Sequence, residues 1–378
     1  MFPSFSRRQL LQASALAAPA LTCTGLSLDA HGAETPRIEA PLVDSLSIQV
    51  VTDATHDIFI SGAQVPGMRV DRARGFRGAM ERRALRSEHG LSLYLTSQKG
   101  SETRRFLLDF GWTAEALNNN LELLGLDVAA LDALIVSHGH LDHTGGLDGF
   151  LDKHRAAMRE DLRLYLGGED AFCYRHSAAG NGAFVSYGVL DRRMLSAARV
   201  RPMLSEDPLV IEGHAFTTGA VPRTSLERVL PNSFVEFGQR DGAGCNVAGY
   251  ANNHFTPAEL AGQPVPDQHL HEHATCFHVK DRGLVVITSC GHAGIINTVR
   301  RAQQVTGVQK VYALVGGFHL AMASTDYLNR VMAELKTLDI QHVFPMHCSG
   351  TNFLEAAKRE MPQALVLCTT GSRFTFGA

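Results

Sequence analysis

Residues 137–146 read SHGHLDHTGG and place His138, His140, Asp142 and His143 within six consecutive positions. Imidazole nitrogen and carboxylate oxygen are common donors to zinc, and two alternate histidines on a tight turn chelate a single ion. His138 and His140 fit that use. Asp142 and His143, further round the turn, point toward a second ion about 3.5 to 4 Å away, close enough for the two ions to share one water-derived ligand. The plainer alternative, a polar N-cap turn with incidental histidines, is disfavoured by the His-x-His-x-Asp-His spacing.

Such a motif is half a site, so the elements around it must bring in the rest. ALIVS (133–137) reads as a buried strand running into the motif, and LDGFLDKHRAAMRE as the helix that follows it. The motif therefore sits on a strand-to-helix turn, where a rigid sheet holds loops that carry chemistry. Upstream, LSIQVVTDATHDIFI, GLSLYLTS and RRFLLDFGW read as strands, and TAEALNNNLELLG as a helix. Between about residues 165 and 275 the pattern loosens into turns, with LRLYL, LVIEGHAFTTG and ATCFHVK as strand candidates. Regular order returns in three strand–turn–helix units, RGLVVITSCGHAGI into NTVRRAQQVTG, KVYALVGGFHL into STDYLNRVMAELKTL, and IQHVFPMHCSG into TNFLEAAKRE, before LVLCTTGSRFTF closes the chain as strand-like material. Their turns carry His292, His319 and His347. Side by side in one sheet, these strands gather the three histidines at one edge.

The chain has 378 residues, 45% hydrophobic and 19% charged, which suits a globular protein with one large core. Its formal charge of -3 gives no electrostatic reason to expect nucleic acid. Residues 1–33 differ from the rest: Arg7 and Arg8 precede the uncharged LLQASALAAPALTC, the layout of a twin-arginine export signal. A flexible or peripheral helix is the alternative. The apolar stretch falls short of the roughly 20 residues of a membrane span, so no stable span is expected once the signal is removed, and the remaining domain, 40–378, is expected in the periplasm or secreted. Of seven cysteines, Cys23 lies in this leader, and Cys173, Cys245, Cys276, Cys290, Cys348 and Cys368 form no CxxC pair, so no disulfide is predicted.

HGHLDH, with Asp109 earlier in LLDFG, resembles the metallo-β-lactamase superfamily over essentially the whole chain after the leader. SEHGLSLYL, NNLELLGLDVAALDALIVSHGHLDHTGGL, TTGAVPR, SCGHAGIINT, GGFHL and MHCSG are similar to its 7,8-dihydropterin-6-yl-methyl-4-(β-D-ribofuranosyl)aminobenzene phosphate synthase-like subgroup. The resemblance implies an α/β fold, the single-domain αββα sandwich. It implies His138 and His140 on a first metal, Asp142 and His143 on a second, and His347 as the late histidine ligand, with Asp109 behind them holding an imidazole through its second nitrogen. Zinc is the expected ion, two per chain, with manganese or iron(II) as alternatives. The chain departs from the superfamily where a ligand histidine normally sits, at Thr218-Gly219-Ala220-Val221-Pro222-Arg223, and where a bridging aspartate normally sits, at Ser289-Cys290-Gly291-His292. His292 is accordingly expected to replace a lost ligand.

Other residues leave choices open. Cys290 is either a thiolate ligand or a buried strand end, the latter being commoner. His319 is a ligand or, preferably, a hydrogen-bond donor to substrate. Arg223 either meets an anionic substrate group or lies exposed. HLHEHATCFH, which also holds Glu272 and His278, puts His269, His271 and His273 on one face if extended, open at most to adventitious surface ions, while His154, His176, His214, His254 and His342 read as ordinary polar histidines.

The expected function is metal-dependent hydrolysis of a small phosphoester, lactone or related substrate, in which activated water attacks and Asp142 steers a proton. Neither a GxSxG elbow nor a P-loop supports a covalent or nucleotide-cradling alternative. A non-catalytic ligand-binding or sensor protein on the same scaffold is the rival, and di-iron oxygen chemistry a further one. Oligomeric state is not readable.

Overall fold

The computed structural model describes residues 36–73, 83–179, 182–230, 233–249 and 256–377, and residues 35–378 form one compact unit. The expected export signal at 1–33 and His254 lie outside the described residues. Among the described residues no helix is long and apolar enough to cross a membrane.

Two sheets stack face to face. Among the described residues the first has nine strands, with β1 (Ser92–Lys99), β2 (Glu102–Leu108), β3 (Ala133–Ile135) and β4 (Arg163–Leu166) adjacent and in that order. In the second, of seven strands, β5 (Thr275–Val279), β6 (Gly283–Thr288), β7 (Val311–Gly317) and β8 (His342–Met346) are neighbours. Successive side chains of a strand point to opposite faces, and here each face has a partner. Val285 and Ile287 of β6 join Leu93, Leu95, Phe106 and Phe344 between the sheets. Leu284 and Val286 turn outward onto a helical layer, α4 (Ile295–Thr306), α5 (Thr325–Leu335) and α6 (Gly350–Glu360), through Ile296, Val299, Val331 and Phe353. On the far side, Leu107 and Leu134 meet α1 (Ala114–Leu123) and α3 (Leu147–His154) through Leu117, Leu121 and Phe150. The layers run helix, sheet, sheet, helix, as expected for the αββα sandwich.

β2, β3 and β4 are parallel in one sheet, and β6, β7 and β8 are parallel in the other. The carboxyl ends of such strands open onto the loops where ligands bind in parallel sheets. Asp109 and Ser137 follow β2 and β3, and Ser289, Phe318 and His347 follow β6, β7 and β8. The helix expected over LDGFLDKHRAAMRE starts at Leu147 as α3 but ends at His154, and a single helical turn within the histidine motif itself, α2 (Leu141–Thr144), precedes it. Gly145 and Gly146 lie at the break, where a Cβ on Gly146 would stand 2.2 Å from the Phe110 carbonyl oxygen, so only glycine lets the motif sit this close to β2. The strand expected across LSIQVVTDATHDIFI ends at Thr52, because Asp53 turns away to accept the backbone N–H of His347 at 2.7 Å.

A disulfide that the cysteine spacing does not predict joins Cys173 to Cys245 across 72 residues. It closes the segment that carries Arg175 and begins three residues after Asp170, two residues that support the site below.

Glu227 caps the amino end of α4 from a loop, its Oε2 accepting N–H groups of Ile296 at 2.9 Å and Asn297 at 3.1 Å. Burial pushes its carboxyl up to about 7 despite those bonds. A carboxyl raised in the folded state binds its proton more tightly there than in the unfolded chain, so the stabilisation is full below the ordinary value near 4.5 and is lost as pH climbs through 7. The stability difference between wild type and Glu227→Gln should therefore shift by about 3 kcal/mol against wild type from pH 4.5 to 8. Denaturant melts at several pH values measure it, and a pH-independent difference would refute it.

Candidate metal centre

His138 and His140 leave β3 on a tight turn, and His292 comes across from the end of β6. Their rings form a near-regular triangle, with centroids 4.6, 5.0 and 4.9 Å apart. Nε2 of His138, Nε2 of His140 and both ring nitrogens of His292 are buried without a hydrogen-bond partner. Burial, reinforced by neighbouring imidazoles, holds the pKa of all three well below the ordinary histidine value, so they are neutral and carry free lone pairs. Buried polar atoms without partners are rare in folded proteins. Three of them converging within ligand range fit a cation.

A second donor set lies beside the first: Asp142, His143, Cys290 and His347. Nε2 of His143 is 3.2 Å from Nε2 of His347 and 3.4 Å from Sγ of Cys290, and Oδ2 of Asp142 is 3.1 Å from Nε2 of His347. Burial alone would raise the Asp142 carboxyl, but His143, His347 and His140 hold it well below the usual carboxylate range. Burial would likewise lower His347, yet Cys348, Asp142 and Asp53 push it up to about 9. A proton there balances the same negative charge that a metal would balance. Cys290 also belongs with His292 and His319 to a third group of donors, so its sulfur stands between the two sets.

Behind these donors sits a layer of orienting groups. Oδ2 of Asp109 accepts from Nδ1 of His143 at 2.8 Å, while its two oxygens take the Ser137 N–H at 2.8 Å and the Ser137 hydroxyl at 2.7 Å. The structure thus places Asp109 against His143, and Ser137 hands the network on to Nδ1 of His138 at 2.9 Å. Asp109, His319 and His347 all have left-handed backbones, with φ of 58°, 48° and 50°, a strain that tends to cluster at functional sites. Asp109→Asn is expected to weaken metal affinity by about 10- to 100-fold, the usual cost of losing an orienting partner. Chelator competition reads this directly, and an unchanged affinity would show the Asp109–His143 contact to be idle.

The run HLHEH does not lie as an extended surface segment. His269 takes φ of 50° and its carbonyl accepts the Glu272 N–H at 3.1 Å, making a buried turn, and β5 begins only at Thr275. His269 stacks on His292 at 3.8 Å. His271 accepts the N–H of Gly139, between the two motif histidines, at 2.9 Å, and its Nδ1 meets Asp170 at 2.6 Å. Glu272 accepts the N–H groups of His292 and Ala293 at 2.9 and 2.6 Å. One short run therefore clamps both turns that carry the first donor set. Arg175, fully buried, neutralises Asp267 at 2.7 Å and Asp170 at 3.3 Å beneath it, so the guanidinium already fills the acidic group formed by Asp170, Asp267 and His271.

Of the donors, His140, Asp142, Cys290, His292 and His347 open onto a cavity of about 520 Å³. His89, His176, Tyr187, His319, Met322 and Cys348 line it with the donors. Burial and the neighbouring Asp142 carboxylate push the Tyr187 hydroxyl well above its ordinary pKa. Arg223, read as either a substrate contact or an exposed side chain, donates to the carbonyl of Gln268 and is not on the cavity wall. His278 lies on β5 apart from the donors, His154 bonds Asn118 and His214 bonds Ser97 in the core. His176, read as an ordinary histidine, is bonded to Glu236 at 2.9 Å on the cavity wall. His269, His271, Glu272, Asp53, Tyr187 and Cys348 are among the residues of this neighbourhood that sequence reasoning did not assign. Only the histidine density of HLHEH hinted at any of them.

Comparison with known proteins agrees with this geometry. The profile of the Metallo-beta-lactamase superfamily matches residues 92–217. A 7,8-dihydropterin-6-methyl-4-(beta-D-ribofuranosyl)-aminobenzene-5'-phosphate synthase of Methanocaldococcus jannaschii is 25% identical over 267 residues, 70% of this chain and 82% of that protein. An uncharacterised protein of the same organism is 26% identical over 266 residues, 70% of this chain and 85% of its own length. Among solved structures, a metal-dependent hydrolase of the beta-lactamase superfamily superposes with a TM-score of 0.61 at 22% identity, over 87% of this chain and 98% of that one.

Proposed function

Because the chain carries a metallo-beta-lactamase superfamily domain on the metallo-beta-lactamase fold, we propose that it is a metal-dependent hydrolase acting on a small carbonyl or phosphoryl ester. The observation that carries this reading is the pair of adjacent donor sets, buried and partly without hydrogen-bond partners, facing one cavity. His138, His140 and His292 would hold one ion, and Asp142, His143 and His347, with Cys290 between the sets, another. Bound divalent ions would supply water activation near neutral pH and stabilisation of developing negative charge. Zinc suits the imidazole, carboxylate and thiolate mixture, with manganese or iron(II) as alternatives.

The chain's own residues do the rest. His319, at the cavity wall, donates a hydrogen bond to the substrate oxygen. Among the described residues no lysine or arginine lines the cavity, so the grip on substrate comes from the donor sets and from Tyr187, Ser233 and Met322. This favours a carbonyl ester or lactone over a substrate with a further anionic arm. Export through the twin-arginine leader belongs to the same proposal and rests on the leader's sequence.

Metal analysis of purified protein should give close to two equivalents per chain. Chelation should abolish hydrolysis and metal should restore it, in a screen of phosphodiester, lactone and β-lactam substrates. Activity that survives stripping would end this reading, and silence on all three substrates with metal bound would favour a ligand-binding role. The synthase name of one relative makes that screen necessary.

A further inference from the structure

Cys290 and Cys348 follow β6 and β8, which are not neighbours in the sheet; β7 runs between them. Their sulfurs are nevertheless 3.2 Å apart. Two glycines explain the approach. At the end of β7, a Cβ on Gly317 would stand 2.8 Å from Sγ of Cys348, and one on Gly316 would stand 1.8 Å from the Thr288 carbonyl oxygen, so the bare backbone leaves room for the sulfurs to meet over it. Both cysteines are free thiols, both are largely buried, and both line the 520 Å³ cavity. Cys348 receives the backbone N–H of His319 at 3.3 Å, while Cys290 lies 3.4 Å from Nε2 of His143 inside the second donor set.

A disulfide needs its sulfurs about 2.05 Å apart, a closure of little more than 1 Å. The same chain already carries the Cys173–Cys245 disulfide, so it matures in contact with oxidants that make such bonds. A second thiol pair in near contact then stays reduced only where something holds one of the sulfurs. Cys290 is placed to be held, by a metal shared with His143 and His347.

We propose that Cys290 and Cys348 form a reversible covalent modification site, a disulfide that closes when the second donor set lacks its ion and that bars metal from returning until it is reduced. The competition with metal rests on the metal-dependent reading above; the covalent site itself does not. The reacting partner is a low-molecular-weight disulfide. The Cys348 thiolate attacks one of its sulfurs, forming a mixed disulfide and releasing one thiolate. The Cys290 thiolate then attacks the Cys348 sulfur, closing the protein disulfide and releasing the second thiolate. Two electrons pass from the cysteine pair to the incoming disulfide, and the two cysteine protons end on the released thiols. Cys276 and Cys368, the other free thiols among the described residues, stay reduced in this reaction.

The test treats the full chain, either chelator-stripped or zinc-loaded, with oxidised glutathione and maps peptides by mass without reduction. The expected result is a Cys290–Cys348 linked peptide in the stripped protein, forming at least tenfold more slowly when zinc is bound, and reversed by dithiothreitol. Zinc uptake by the oxidised wild type should fall at least tenfold, while Cys348→Ser, which keeps Cys290, should take up zinc equally with and without oxidant. Absence of the linked peptide, separate glutathionylation of the two thiols, or equal crosslinking with zinc bound would overturn the proposal, and the peptide map needs no variant to fold. A protein that crosslinks but takes up no divalent metal in its reduced form would refute the metal-dependent reading and leave the covalent site standing.

Discussion

Replacing His138 and His140 together by alanine is expected to remove one metal equivalent and bring hydrolysis to background. These rings contribute two of the three neutral, buried, unpartnered donors of the first set, and His292 alone cannot hold an ion there. The second set depends on Asp142, His143, Cys290 and His347, so its equivalent should remain, although the turn carrying it is loosened. The loss of rate should exceed the roughly 10²- to 10³-fold that removing a single charge-stabilising donor costs, because a whole ion goes with these side chains. Elemental analysis and turnover measured on the same preparation check this. Full metal content or retained turnover would show that the triangle of rings is a structural histidine cluster.

The second large effect is a steep pH dependence of metal affinity. His347 is pushed up to about 9, so at pH 7 the metal-free protein carries a proton on the nitrogen that faces Asp142 and His143. Because the folded value lies above the ordinary 6.5, the proton's stabilisation of the metal-free protein is complete below 6.5 and disappears as pH rises through 9. Metal must expel that proton, so affinity should rise about tenfold per pH unit from 7 and level off near 9, roughly 100-fold in all. The slope also tells which groups ligate. His138, His140 and His292 are already neutral in this range and release nothing. Burial pushes the Cys290 thiol well up, so if its sulfur ligates it adds a second proton and steepens the slope to about 100-fold per unit. Competition titrations between pH 7 and 9 give the exponent, and a flat profile would contradict the protonated state of His347.

Much of the site was legible because its residues announce themselves locally. His138, His140, Asp142 and His143 sit in one motif, and His292, His319 and His347 each end an apolar run that precedes a helix, so the parallel pairing of β6, β7 and β8 was enough to gather them. What stayed hidden depends on contacts distant in sequence. The alternating histidines of HLHEH read as a strand because period two is the strand signal, yet the left-handed His269 folds the run into a turn whose partners, Gly139 and His292, are 132 and 20 residues away. Cys173 and Cys245 stand alone, with no spacing pattern to pair them. Arg223 looked available because nothing in its own stretch shows the Gln268 carbonyl that takes its charge. The approach of Cys290 to Cys348 depends on glycines in a third strand.

The clamp made by His271 and Glu272 bears on the order in which the molecule assembles. It ties the turn at Gly139 to the turn at His292; the Glu272 bond to His292 closes beside the β5–β6 hairpin, but the bond between Gly139 and His271, 132 residues apart, exists only once the first sheet and the second have docked. Contacts this distant along the chain come late, because a large loop must close before they return any stabilisation. An emerging chain that has not yet reached His292 presents His138 and His140 on an unsupported turn, a weak and unselective chelator. Tight, discriminating uptake of an ion is then a property of the finished fold, and the ion obtained is set by the compartment where folding ends.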